Sequence, residues 1–497
     1  MAGSEGTLAL IHQAELRLVD RSPHSVLLLL SFDSVAQACD FTPGLLETEP
    51  AAIELIPRTL LAQARTVPAY ARRMGFMQGD PTAVLVVEYN GMSVDEARSK
   101  AGDWAGHGRL LEEPQAQADL WAVRKAGLGL LMALPGEAKP ITFIEDMTVP
   151  VERLGEYVRR VDRILAEHDT IGEWYAHASA GCLHLRPLIN LKSDQGVRRM
   201  RSIADAVAEL VFAMRGSISG EHGDGLSHTE YNARLFGSRL YQDFKDIKQF
   251  FDPQNLLNPG KVVVLDEMQA PALDTQLRYG GDFQLQSITT PIHFVEGNIA
   301  AAADACSGVG ICRKHEGVMC PSFQATHDER HSTRGRANAL RAAFSGQLSL
   351  QSLTSRDTYE VLDLCLECKG CKSECPSSVD MARIKAAFLD HYHQAHGVPL
   401  RSRLFANLAT LSRLAMPLAP LINLIGRWPV MRAVLEKSVG ISRRRSLPRF
   451  ERRSLRADLP ALETPDDLSD GVVLFLDTHT EFSQPQIGRA TYDLLTS

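Results

Sequence analysis

Cys365-Leu-Glu-Cys368-Lys-Gly-Cys371-Lys-Ser-Glu-Cys375-Pro376 is the run that decides how this chain is read. Its spacing is C-x2-C-x2-C-x3-C-P, in which three thiolates hold one face of an iron–sulfur cube and the fourth reaches elsewhere. The local turns set the first three sulfurs on one concave surface, and Pro376 ends the wrapping segment. A zinc site needs only four ligands in two pairs and has no use for the trailing Cys-Pro. Zinc and buried structural cysteines stand as the alternatives. The favoured reading is a protein that moves electrons.

The fourth cysteine of such a run usually serves a second cluster, so a partner run is expected. Cys306-Ser-Gly-Val-Gly-Ile-Cys312, followed by Cys320-Pro321, supplies it. Overlaid, Cys306 and Cys312 fall in register with Cys365 and Cys371, Val309 stands at the position of Cys368, and the last spacing is stretched. Two-cluster logic then groups Cys365, Cys368, Cys371 and Cys320 as one complete cubane site. Cys306, Cys312 and Cys375 are left for a second site that lacks one ligand. That site holds a three-iron cluster, recruits a non-cysteine ligand, or stays empty. One [4Fe-4S] cluster is the expectation, with the second left open.

At 497 residues the chain is long enough for two to four domains. Its 53 Lys+Arg against 60 Asp+Glu give a net charge of −7, so no global basic field argues for nucleic acid. Nine cysteines, seven of them in the two runs, read as ligands kept reduced, which points to a cytoplasmic setting rather than a disulfide framework. Cys39 and Cys182 read as small buried side chains. Met1-Ala-Gly-Ser-Glu-Gly has neither a basic n-region nor an apolar core, so no signal peptide is expected. Leu404 to Ile425 is the most apolar stretch, but Arg413, Pro417 and Pro420 interrupt it and argue against a spanning helix. With Arg443, Arg444, Arg445, Arg449, Arg452 and Arg453 soon after, the favoured reading is a helical hairpin and a solvated loop. The second reading is a basic, partly amphipathic segment resting on the inner face of an anionic membrane.

To about Lys261 the chain alternates apolar runs with helical patterns. Val26–Leu30 and Ala83–Tyr89 read as strands, and Val151–Glu167 and Val197–Met214 have helical spacing. This mixture predicts an α+β domain with a largely antiparallel sheet, closed by Asn258-Pro259-Gly260. A linker and a mainly helical module with both cysteine runs follow. Gly471–Asp477 reads as a buried strand and Pro485–Leu495 as the helix after it, a pair without neighbours to cover the strand. Gly3-Ser-Glu-Gly-Thr-Leu8 is a dense turn entering strand-like Leu8–Leu18.

Three polar clusters suggest a second chemistry. His177-Ala-Ser-Ala-Gly-Cys-Leu-His184 is a turn leading into strand-like Leu183–Leu191. In Ser219-Gly-Glu221-His222-Gly223-Asp224-Gly225 the glycines let backbone approach a ligand closely. Arg124 is followed fifteen residues later by Lys139. Neutral imidazoles with a carboxylate suit a divalent ion such as zinc or manganese. His177 or His184 alone reads as an ordinary hydrogen-bonded histidine; beside Glu221-His222 the metal reading takes over.

Together these residues resemble the C-terminal half of the FAD-linked oxidase family, the vanillyl-alcohol-oxidase-type flavoproteins that oxidise 2-hydroxy acids. Gly3, Ser4, Glu5, Gly6 and Thr7 are similar to the closing segment of that family's FAD-binding domain. His177 and His184 resemble its paired-histidine metal motif, with Ser-Ala-Gly-Cys where the commoner form has Gly-Asp-Gly-Asn. Glu221-His222-Gly223 and Asn258-Pro-Gly-Lys261 match closely. The cysteine module, with Thr333-Arg-Gly-Arg-Ala-Asn338 between its runs, resembles the large bacterial fusion proteins related to D-2-hydroxyglutarate and D-lactate dehydrogenases. The resemblance implies an antiparallel-sheet oxidase domain followed by an all-α, ferredoxin-like iron–sulfur module. It divides the chain into the end of a FAD-binding domain (1–20), the oxidase C-terminal domain (21–263), a linker (264–299) and the iron–sulfur module (300–395). A helical segment (396–440), a basic linker (441–470) and the start of a further α/β domain (471–497) complete it. Relatives carry a full FAD-binding domain before the segment matching Gly3 and a cysteine-rich domain after the one matching Ser497, so the chain is expected to be an internal piece of a larger enzyme.

The resemblance also implies a mechanism. His222 removes the substrate hydroxyl proton while hydride leaves C2 for FAD. A divalent ion on His177, His184 and Glu221 orients the hydroxyl and carboxylate. Arg124 grips that carboxylate through two parallel bonds and Lys139 adds a point charge. Gly3 to Thr7, Glu221, Asn258 and Lys261 face the flavin. Reduced flavin holds two electrons and a cubane cluster takes one at a time, so the clusters lead to quinone or a soluble carrier. A separately encoded FAD-binding domain is the further partner expected. The rival reading is an iron–sulfur electron-transfer subunit without flavin chemistry of its own.

Overall fold

The computed structural model describes residues 3–132, 136–266, 270–279, 283, 285–460 and 472–497. The chain falls into two compact units, Met1–His391 and Tyr392–Ser497.

The first unit is built on one sheet in which every paired neighbour is antiparallel. Its strands are β1 (His24–Phe32), β2 (Ala52–Pro57), β3 (Ala83–Gly91), β4 (Arg109–Leu111), β5 (Lys139–Pro140), β6 (Met147–Thr148), β7 (Gly172–His177) and β8 (Cys182–Ile189). They are ordered β4-β1-β3-β2-β7-β8-β5, with β6 beside β8. Val26–Leu30 and Ala83–Val87 are unbroken apolar runs because both faces are covered. On one face Val26, Leu28, Ile53, Leu55, Leu85 and Leu185 share a core with residues of helices Val35–Leu46, Leu154–Glu167 and Asp194–Ala213. On the other, Leu27, Leu29, Ile56, Val84 and Val86 meet helices Arg58–Thr66 and Pro114–Lys125.

Helix Leu154–Glu167 shows the sequence logic. Leu154, Tyr157, Val158, Val161 and Leu165 recur at helical spacing and are all buried, while Arg159, Arg160 and Arg163 face water. Each such burial stabilises by roughly 1.5–3 kcal/mol. Helix Asp194–Ala213 starts where Ser193 Oγ accepts from the Gly196 N–H at 3.1 Å.

Two strand expectations are corrected. Leu8 is buried against Val262 and Val263, but residues 9–22 form no strand, and Leu10, Ile11, Leu16 and Leu18 are exposed. Val472–Asp477 likewise forms no strand, with Val472, Val473 and Phe475 exposed; Gly471 lies outside the described residues. Neither segment finds a pairing partner among the described residues, and a lone strand leaves its backbone groups unmatched. Helix Pro485–Thr496 does form.

The cysteine runs lie in a helical part of the first unit. Helix Ile299–Asp304 packs on helix Thr333–Phe344, which Ser332 caps by accepting from the Gly335 N–H at 2.9 Å. Glu367 and Lys369, between the cysteines of the second run, both have left-handed backbone, as do Gly308 and Gly310 in the first. Such alternation turns successive N–H groups toward one point and suits an anionic group. Pro376 lies against helix Gly127–Met132: a Cβ on Gly129 would come within 1.8 Å of Pro376 Cβ. The iron–sulfur run is therefore seated directly on the sheet domain.

Candidate active site and iron–sulfur ligands

Strand register assembles the first site. On β2 and β7 Glu54 stands opposite His177, and on β7 and β8 Tyr175 stands opposite His184. Glu54 Oε1 lies 2.5 Å from His177 Nδ1, and the Glu145 carbonyl accepts from His184 Nδ1 at 2.7 Å. These bonds turn both Nε2 atoms inward. His177, His184 and His222 each place Nε2 3.1 Å from one atom, Glu221 Oε1. The His184 and His222 rings stack at 5.1 Å, and His177 meets His184 edge-on at 5.0 Å.

That convergence tests whether the donor set fits a divalent ion. With its Nδ1 proton on Glu145, neutral His184 turns a bare lone pair toward a carboxylate oxygen. Two acceptors facing each other at 3.1 Å need a cation between them. Burial depresses His184 to about 4, which disfavours a proton as that cation. His177 is raised, first by its bond to Glu54, as in a carboxylate–histidine–metal relay. The residues present fit the ion; His177, His184 and Glu221 would hold it.

The Glu221-His222 turn is fixed by a residue that the sequence reading missed. The Asp146 carboxylate accepts from the N–H groups of Glu221 (3.1 Å) and His222 (2.8 Å) and from Ser219 Oγ (2.9 Å). Burial raises its carboxyl, but those donors outweigh burial and hold it below the usual range. Asp146 Oδ1 is also 3.6 Å from His222 Nδ1. Cys182 lies here too, its Sγ 3.4 Å from Asp146 Oδ1, with burial pushing the thiol up to about 12. Asp146, Cys182, His184 and Glu221 form a second, overlapping group with ligand atoms within 4.8 Å of one another.

The N-terminal residues meet the far side of this turn. Glu5 Oε1 accepts from the Asp224 N–H at 2.6 Å and the Gly225 N–H at 3.2 Å, and Asn258 Nδ2 donates to the Glu5 carbonyl at 2.7 Å. Gly223 has φ +88°, and a Cβ there would come within 2.6 Å of Glu5 Oε1. Gly3 and Gly6 have left-handed backbone, and Thr7 is buried. Lys248, fully buried, binds the Thr7 carbonyl (2.9 Å), the Leu257 carbonyl (2.9 Å) and Asp252 (3.0 Å). Lys261 closes the Asn258-Pro-Gly turn through its N–H, 3.3 Å from the Asn258 carbonyl. A cleft of ≈ 460 Å³ results, with Ser4, Glu5, Glu221 and His222 at the polar part and Leu8, Phe236, Phe244 and Val262 in the apolar part. Its size and lining fit a planar ring system such as the flavin end of FAD.

Arg124 belongs to the same network but spends Nε (3.2 Å) and Nη2 (2.8 Å) on Glu54. Its guanidinium lies 5.0 Å from the Tyr175 ring centre, and that of Arg186 lies 5.5 Å from it. Arg186 is buried, bonded to Tyr175 and Glu145, with Nη1 unpartnered among the described residues. Lys139 is not with the histidines. It pairs with Ile189 on β8, five residues from His184, about 17 Å along a strand. There it lines a ≈ 270 Å³ cavity with Lys192, Asp304 and Cys306, and burial lowers its ammonium.

All seven cysteines of the two runs are free thiols; Cys306, Cys312, Cys320 and Cys371 are buried and Cys368 is exposed. Cys320 accepts from the Thr333 N–H at 3.1 Å, and Cys312 from the Arg334 N–H at 3.4 Å. Cys312 and Cys320 also hydrogen-bond each other, which lowers Cys312 to about 6 and raises Cys320. This contact joins a cysteine of each group that the spacing suggests. Cys375 interacts with Cys306 and Cys312, and Cys371 with Cys365. A further residue emerges, Arg336. It is 1 % exposed, donates to the Val361 carbonyl (3.0 Å) and Ser322 Oγ (2.9 Å), and feels the charges of Cys365, Cys320, Cys371 and Cys312. Cysteine sulfurs that accept N–H bonds beside a buried guanidinium fit an anionic iron–sulfur group.

Residues 21–262 match the C-terminal domain of FAD linked oxidases, and residues 305–380 match the 4Fe-4S dicluster domain. The D-2-hydroxyglutarate dehydrogenase of Escherichia coli K12 is 28 % identical, with 94 % of this chain and 49 % of the relative covered. That of Pseudomonas putida KT2440 is 27 % identical, with 99 % and 54 % covered. Glycolate oxidase subunit GlcD of Bacillus subtilis 168 is 28 % identical, with 53 % and 56 % covered. The chain spans about half the length of the curated relatives it matches. The first domain implies FAD and the second implies iron–sulfur clusters as cofactors. The chain therefore joins a FAD-linked oxidase C-terminal domain to a 4Fe-4S dicluster domain, and it is homologous to D-2-hydroxyglutarate dehydrogenases over most of its length.

Proposed function

We propose that this protein works as a FAD- and iron–sulfur-dependent dehydrogenase, oxidising a D-2-hydroxy acid of the D-2-hydroxyglutarate or D-lactate class to the 2-oxo acid. Electrons then leave through the cysteine module to quinone or a soluble carrier. The observation that carries this reading is the meeting of three imidazole Nε2 atoms on Glu221 Oε1, beside a cleft of flavin size. The names of the relatives supply the substrate class.

Bound FAD supplies the hydride acceptor, and a divalent ion on His177, His184 and Glu221 supplies Lewis acidity toward the substrate hydroxyl. His222 takes the hydroxyl proton on Nε2, and the Asp146 carboxylate 3.6 Å from Nδ1 stabilises the resulting imidazolium. Arg124 and Arg186 place two guanidiniums over Tyr175, each paired with a carboxylate, Glu54 and Glu145, and Arg186 Nη1 keeps the donor to spare for the substrate carboxylate.

The test is anaerobic purification, flavin and metal analysis, and assay of paired D- and L-2-hydroxy acids with an artificial acceptor. The assay is run with and without an added FAD-binding domain. Oxidation of D- but not L-acids is expected, and His222→Asn should lower kcat about 10²–10⁴-fold with metal content unchanged. No turnover of any D-2-hydroxy acid by the FAD-loaded protein would sink the proposal.

A further inference from the structure

The second unit carries a surface that the redox chemistry does not use. Helices Leu408–Ala415 and Ala419–Ile425, joined by the turn Met416–Leu418, make the one helical stretch among the described residues long and apolar enough to cross a bilayer. Yet the stretch is presented outward. Leu411, Leu414, Leu418, Leu421, Leu424 and Trp428 recur every three or four residues, and all are between 39 % and 70 % exposed. That spacing draws one apolar stripe along the helical axis. A solvent-facing stripe of this length on a folded protein marks a docking surface.

The charges say what docks. Residues 401–450 hold ten Lys and Arg against a single acid, Glu436, on a chain whose net charge is −7. Among the described residues, neither Arg427 nor Arg449 has a carboxylate partner. Both line a ≈ 320 Å³ cavity beside the stripe, with Arg432 and the apolar Ile422, Met431 and Leu447. Arg432 donates from Nη2 to the carbonyls of Ser442 (3.2 Å) and Arg443 (3.0 Å), and its buried Nε has no acceptor among the described residues. Guanidiniums beside a hydrocarbon-lined hollow match a lipid whose phosphate is anionic and whose chains are not. A transmembrane pose is disfavoured, because Arg413 sits within the stretch and 18 residues rise only about 27 Å. An in-plane pose puts the leucines in the acyl boundary, Trp428 at headgroup level and the arginines on phosphates.

We propose that the second unit is a peripheral docking surface for an anionic phospholipid membrane. A stripe meant for a second copy of this chain would bring two such cationic faces together, which charge opposes.

The full-length protein is sedimented with vesicles of phosphatidylcholine, alone or with about one third phosphatidylglycerol. Binding is expected only to the anionic vesicles and should weaken as salt rises. Arg427→Ser and Arg449→Ser should each weaken it about fivefold. The pair Leu414→Ser/Leu421→Ser should abolish it, with melting temperature and iron content unchanged; if that pair lowers the melting temperature, the two arginine variants decide. Equal binding to neutral vesicles, no sedimentation with either, or a dimer in solution that the leucine variants dissolve would each overturn the proposal.

Discussion

Glu54 holds Arg124 with one oxygen and His177 with the other, so one carboxylate sets the direction of two polar side chains. Glu54→Gln should weaken divalent-ion affinity about 10–100-fold, measured by competition with a chelator, while the far-UV spectrum stays native. Lys248 is a second case. Its three donors are all spent inside, so Lys248→Met should lower stability by on the order of 3 kcal/mol in a urea titration. Its partner Asp252 sets a pH dependence. Burial raises that carboxyl, but the Leu256 and Leu257 N–H groups and Lys248 outweigh burial and hold it below its ordinary 3.8. A depressed carboxyl contributes stability that is present above the unfolded value and lost as pH falls through the folded one. Asp252→Asn should therefore flatten the acid limb of the stability curve. Glu221-His222 was legible in the sequence because glycines flank it. Glu54 and Asp146 were not: Glu54 is a lone acid in an apolar stretch, Asp146 follows Glu145 with no motif around it, and their partners lie 123 and 76 positions away.

Between β7 and β8 the chain turns in four residues, Ala178 to Gly181, and carries a histidine on each arm. Gly181 makes the turn with φ +71°, and a Cβ there would come within 2.2 Å of the Val149 carbonyl oxygen. Gly181→Ala should cost more than the roughly 1–2 kcal/mol of a left-handed residue and should weaken ion binding in step, because both histidines ride on the hairpin. The turn and the strand that follows it were readable beforehand, as were helix Leu154–Glu167 and strands β1 and β3 from their apolar patterning; strand β7 was not. Residues 9–18 and 472–477 carry the right residues for a strand but meet no ladder, and pairing is a property of the neighbours.

On the scale of the whole molecule, the contact between Gly129 and Pro376 seats the cysteine module on the sheet domain. A valine at 129 has no room. Gly129→Val should leave both domains folded yet expose residues near 376 to limited proteolysis and slow reduction of the clusters by substrate. Since the match is to a dicluster domain, about seven to eight iron atoms per chain are expected after anaerobic reconstitution, where a single cube would give about four. The two cysteine runs announced their chemistry through spacing alone. Their docking could not be read, since a glycine that makes room for a distant proline looks like any other helix glycine.

Glu5 reaches across 219 positions to fasten the turn that bears Glu221 and His222, while Asp146 fastens the same turn from its other end. The arrangement works as a buckle whose tongue is the N-terminal segment. Ser4 and Glu5 also line the cleft, so whatever fills it touches the tongue, and loosening Glu5 would free the Asp224 and Gly225 N–H groups. Occupancy of the cleft and the set of the turn that carries His222 are thus linked.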